Sequence, residues 1–108
     1  MDIQLKRGLL DVCVLAAIKN EDSYGYKIIK DLKPVTDLSE STLYTILKRL
    51  ESAGMLTVRS AEHDGRLRKY YSITGAGIRR LEEFRSEWQE KMSIYRFVTG
   101  EGTDNDQT

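Results

Sequence analysis

Arg66, Arg68 and Lys69 crowd beside an Asp64-Gly65 pair, and four basic residues stand against two acidic ones over 59–69. Asp-Gly between residues suited to strands marks a tight hairpin turn. A tip made only for solubility would mix signs more evenly. Long cations on an adjustable turn are suited to following phosphates without demanding a sequence. A second set lies upstream, where Ser39, Ser41, Thr42, Thr45 and Lys48 are short hydroxyls followed by a cation. At a helix N-terminus such groups meet phosphate or base edges. The bland alternative is an ordinary solvated helix face with local links from Lys48 to Glu51 or Ser52.

The elements that must position these residues can be read from spacing. Leu43, Ile46, Leu47 and Leu50 recur at intervals of three and four, so they line one helix face. Ser39 or Ser41 suits the cap, and Gly54 suits a left-handed end. The other face carries Ser41, Thr42, Thr45, Lys48, Arg49 and Ser52, with Tyr44 at its edge. Met55, Leu56 and Val58 then fit a strand, and Arg68 to Ile73 a second. Alternation places Lys69, Tyr71 and Ile73 on one side of it, with Ile73 inward and Tyr71 partly so. His63 either contacts a phosphate or is a plain loop residue.

Upstream, residues 3–19 read as a first helix, apolar over more than one face and therefore covered on several sides. Cys13 within it reads as a core residue. Ser23 suits the cap of a second helix running to about Lys33, with Tyr24, Ile28 and Leu32 facing the core and Pro34 after its end. Gly25 in its first turn suggests close approach by another element, with a ligand as the lesser alternative. Pro34 to Leu38 form the turn into the third helix. The fold class is α+β, a winged helix-turn-helix.

Thr74 suits the cap of a last helix reaching roughly Phe97. Ile78, Leu81, Phe84, Trp88, Met92 and Tyr95 form a stripe longer than so small a domain can cover, so the helix reads as an added C-terminal dimerisation helix. Leu9 and Val12 of the first helix join the expected interface. Trp88 has two readings, an interface anchor or a plane on which a flat ligand stacks. The organisation is then 1–74 DNA-binding domain, 75–99 dimerisation helix and 100–108 a disordered tail without apolar residues.

Composition narrows the classes. The 108 residues carry 17 basic and 17 acidic side chains; without residues 101–108 the balance is 17 against 14, a local excess of +3. Binding by bulk charge is disfavoured, and a local docking surface is favoured. One cysteine gives no disulfide framework, and one histidine rules out a histidine-built zinc site. No stretch is long and apolar enough to cross a membrane and no signal peptide is evident, so a cytoplasmic setting is expected. No Cys-His pair or Gly-rich phosphate loop suggests an enzyme, and no cofactor is expected.

Two stretches in particular, Glu40-Ser41-Thr42-Leu43-Tyr44-Thr45-Ile46-Leu47-Lys48-Arg49-Leu50-Glu51 and Gly65-Arg66-Leu67-Arg68-Lys69-Tyr70-Tyr71, resemble PadR-type transcriptional regulators of the compact kind, as does Tyr24-Gly25-Tyr26. The family's wing is often Gly-Gly-Arg-Arg-Lys-Tyr-Tyr; here Leu67 interrupts the basic run. The resemblance implies a homodimer on a pseudo-palindromic double-stranded operator, usually repressing the adjacent gene. It implies DNA contacts from Ser39, Thr42, Tyr44, Thr45 and Lys48, and from Arg66, Arg68 and Lys69 in the wing. Some compact relatives control efflux genes and stack flat, often cationic drugs on a tryptophan at the dimer centre. Trp88 occupies the matching place, with Met92 one turn on. The competing class is a winged-helix protein-interaction module that does not touch DNA, for which the balanced total charge speaks.

Overall fold

The computed structural model describes residues 1–101, so most of the expected 100–108 tail lies outside the described residues. Six elements follow in order: α1 (Ile3–Ala17), α2 (Gly25–Leu32), α3 (Glu40–Ser52), β1 (Leu56–His63), β2 (Arg66–Ile73) and α4 (Gly75–Thr99). This is the α+β winged arrangement expected from the sequence. The core is a three-helix cluster closed by the hairpin, centred on Leu15, Ile18, Ile28, Leu43 and Leu56.

Each helix end has a chemical cause. The Asp2 carboxylate accepts the Leu5 N–H at 3.0 Å and starts α1, which ends at Ala17 rather than Lys19. Ser39 starts α3 by accepting the Thr42 N–H at 3.2 Å, and Leu43, Ile46, Leu47 and Leu50 are all buried as their spacing requires. At its C-terminus the Met55 N–H reaches the Leu50 carbonyl and the Gly54 N–H reaches that of Glu51. That pair of bonds is a Schellman closure, which needs the left-handed residue Gly54 supplies at φ 76°.

The second helix departs from expectation. Ser23 does not cap it. Its backbone N–H and carbonyl are both committed to Tyr71, at 3.1 and 2.7 Å, which adds a one-residue third strand to the sheet. The cap position falls on Tyr24, whose side chain makes no capping bond. Ile28 and Leu32 face the core as expected, whereas Tyr24 is only half-buried because its ring turns to the hairpin.

Strands β1 and β2 pair antiparallel from Leu56↔Ile73 to His63↔Arg66. Asp64 and Gly65 close them with φ of 53° and 78°, the double left-handed pair of a type I′ turn. Tyr71 is more deeply buried than Ile73, the reverse of the expected degree, because the Ser23 bridge covers it.

Thr74 caps α4, accepting the Gly77 N–H at 3.2 Å while its hydroxyl donates to the Gly54 carbonyl at 2.7 Å. One residue thus ties the hairpin's end to the α3–β1 turn and to α4. Gly77 is buried at that junction. A Cβ there would stand 2.4 Å from the Met55 carbonyl oxygen and 2.6 Å from Ile73 Cγ1. At 1.5 Å per residue the 25 residues of α4 span about 37 Å. Its first turns pack on α1 through Leu81 and Phe84, but every residue from Lys91 to Thr99 is exposed. The described chain is accordingly elongated, 62 × 26 × 24 Å.

Candidate nucleic-acid interface

The exposed face of α3 presents Ser41, Thr42, Tyr44, Thr45 and Lys48. Their hydroxyls are not equivalent. Ser39 donates to the Thr42 hydroxyl oxygen at 2.9 Å while accepting the Thr42 N–H, so its own group is spent on the cap. Thr42 keeps a proton to donate outward. Thr45 donates back to the Ser41 carbonyl at 3.0 Å, which leaves its oxygen as an outward acceptor beside its methyl group. Lys48 makes no ion pair among the described residues, unlike the local link weighed from sequence.

Arg49 leaves this set. Its guanidinium pairs with Asp11 of α1, so the residue is half-buried between the two helices rather than free to meet phosphate. Tyr44 stays exposed but leans over α2. Its hydroxyl would stand 2.9 Å from a Cβ at position 25, so Gly25 is the close approach anticipated from the sequence.

The wing is held by a stack that sequence reading did not find. The Arg68 guanidinium lies over the Tyr24 ring at 3.9 Å, Tyr24 meets Tyr70 edge-on at 5.8 Å, and Arg59 lies over Tyr70 at 4.9 Å. Arg59 in turn pairs with Asp22 at 3.0 Å. The Ser72 hydroxyl first, and then Arg59, hold the Asp22 carboxyl below its ordinary range. Cation–π contacts at exposed sites are worth about 0.5–1 kcal/mol each. Together with the Ser23 bridge they fix the hairpin against the start of α2. Arg68 is therefore pinned, while Arg66 and Lys69 are exposed and lack ion pairs among the described residues. A cavity of about 850 Å³ opens between wing, α2 and α3, lined by Tyr26, Tyr44, Arg66, Arg68 and Lys69 among others. His63 lies at the same tip, with Nε2 3.3 Å from an Asp64 carboxylate oxygen. The signal for the stack was present as Asp22, Tyr24, Arg59, Arg68 and Tyr70, but only the fold brings the five together.

The expected ligand and interface residues lie elsewhere. Leu81, Phe84 and Trp88 are half-buried, and Met92 and Tyr95 are 37% and 49% exposed. An apolar groove of about 470 Å³ runs between α1 and α4, lined by Leu9, Val12, Cys13, Leu81 and Phe84 among others. Val12 is 4% exposed and so already covered by its own chain. Burial raises the Cys13 thiol pKa, which keeps it protonated and fits a packing role. Trp88 stands one turn past Phe84, with ring centroids 6.0 Å apart and Lys91 Nζ 6.0 Å from its own ring. Among the described residues no cluster of three or more potential metal ligands occurs, and no helix is long and apolar enough to cross a membrane.

Residues 14–83 match the transcriptional regulator PadR-like family. A Streptococcus mutans UA159 protein of known structure is 42% identical, with 90% of this chain and 92% of that one covered at a TM-score of 0.77. A PadR family transcription regulator from Clostridium difficile R20291 is 31% identical, with coverage of 82% and 97% and a TM-score of 0.74. An uncharacterized Lysinibacillus sphaericus protein is 37% identical over 93 residues, 82% of this chain and 85% of its own length.

Proposed function

The chain belongs to the PadR-like family of transcriptional regulators, and on that premise we propose that it is a homodimeric, ligand-responsive repressor that binds an operator duplex directly. The observation that carries the reading is the pairing of an exposed hydroxyl-and-lysine face on α3 with a basic wing clamped beside it. A face about one helix wide enters the major groove, and Arg66 and Lys69 follow the flanking phosphates. Thr45 offers an acceptor and a methyl to base edges, and Lys48 a charge to the backbone. The pinned Arg68 adds its charge at a fixed place.

Two copies join through α4 and α1, with Leu9, Leu81, Phe84, Trp88, Met92 and Tyr95 at the seam. The support is the uncovered apolar end of α4, where Ile94, Tyr95, Phe97 and Val98 are 60%, 49%, 87% and 74% exposed. Trp88 and Met92 take a planar aromatic or cationic effector at that seam, and its binding shifts the separation of the two reading helices. Control of an efflux or stress-response gene follows from such an effector.

Footprinting on the chain's own upstream region tests the core of this reading. The expected result is a protected pseudo-palindrome, lost or weakened by Lys48→Ala with a salt slope shallower by about one. No protection at any concentration that saturates random duplex would overturn it. Trp88 is the single tryptophan, so quenching of its fluorescence by a planar cation reads the effector site directly. No quenching across planar cations and phenolic compounds would leave Trp88 a packing anchor.

A further inference from the structure

The exposed face of α3 has two edges. At about 100° per residue, Tyr44 stands on the edge toward the wing, Thr45 and Lys48 in the middle, and Thr42 and Arg49 on the far edge. The far edge borders a second cleft, of about 270 Å³, that separates it from the first two turns of α1. Lys6, Arg7, Leu10, Thr42, Thr45 and Arg49 line it. Arg49 is neutralised there by Asp11. Lys6 and Arg7 are exposed and make no ion pair among the described residues. The first two turns of α1 hold no acid, and Asp2, the N-cap just before them, accepts the Leu5 N–H. Glu40, the acid at the start of α3, falls by the same count on the wing edge.

A helix about 10–12 Å across in a groove about 12 Å wide has a row of phosphates on each side. The wing meets one row. We propose that Lys6 and Arg7 form a phosphate-binding site for the other, so that α3 is held between two basic flanks. The inference rests on the operator-binding reading above and adds residues to it. Binding here is to backbone phosphate, so it is indifferent to sequence. The Thr42 hydroxyl, with its free proton, sits at the same rim as a neutral donor to the same strand.

The test is the salt dependence of duplex binding by the full chain. The double variant Lys6→Ala, Arg7→Ala should lower the slope of log K against log salt by about one to two, at about 0.9 per phosphate lost. Operator and random duplex should weaken by the same factor. Lys19→Ala, which removes an exposed charge beyond the other end of α1, should leave the slope unchanged. Lys6→Arg with Arg7→Lys should restore it. A wild-type slope in the double variant, or an equal fall with Lys19→Ala, would overturn the site and leave the operator-binding reading intact. A wild-type chain that binds neither duplex would overturn both.

Discussion

Ser23 is the residue whose chemistry is least like its sequence suggests. A serine before a helix reads as a cap, yet its hydroxyl is buried with no hydrogen-bond partner, and its backbone serves the sheet. A buried unsatisfied hydroxyl costs about 1–3 kcal/mol. Ser23→Ala should therefore leave stability unchanged or raise it by about 1 kcal/mol in urea unfolding. A loss above about 1 kcal/mol would mean that the hydroxyl has a structural partner. Asp22, next to it, titrates with the wing clamp. Its carboxyl pKa is lowered from 3.8 on folding, so its contribution is present above that value and fades as the pH falls through the lowered one. Asp22→Asn should lose a small increment of stability at neutral pH, small because the side chain is 40% exposed. Variant and wild type should converge as the pH drops below 3.8. A constant gap across that range would point to a packing role instead.

Among the elements, what lay within one helical repeat was legible and what depended on distant partners was not. The buried stripe of α3, its Ser39 cap and the Thr74 cap follow from nearest-neighbour chemistry. The type I′ turn follows from Asp64-Gly65 alone. Arg49 was misread because its partner Asp11 is 38 positions away. The wing clamp was missed because it joins two strands to the segment before α2. Gly77 is a packing requirement that only the fold shows, because the Met55 carbonyl and Ile73 stand where a Cβ would go. Two glycine variants separate these situations. Gly77→Ala meets backbone and should cost about 1–3 kcal/mol in thermal or urea unfolding. Gly25→Ala meets only the movable end of Tyr44, so stability should hold or rise slightly while duplex affinity falls as Tyr44 swings aside. Equal destabilisation by both would contradict the contact geometry.

At the scale of the whole molecule, a core this small leaves much apolar surface uncovered. The far half of α4 carries that surface away from the winged domain along the 62 Å axis. In the proposed dimer, one reading unit per chain, joined through α4, would set two α3 faces at a fixed separation, as a pseudo-palindrome needs. The stripe was legible in the sequence as a helix face too long for its domain; what would cover it was not, because a single chain carries no record of a partner. The decisive measurement is sedimentation at micromolar concentration paired with binding of the same samples to the upstream duplex and to random duplex. The account predicts a dimer that prefers the upstream duplex, and predicts that Tyr95→Glu with Phe97→Glu gives a folded monomer without that preference. A wild-type chain that sediments as a monomer and binds both duplexes equally would contradict it.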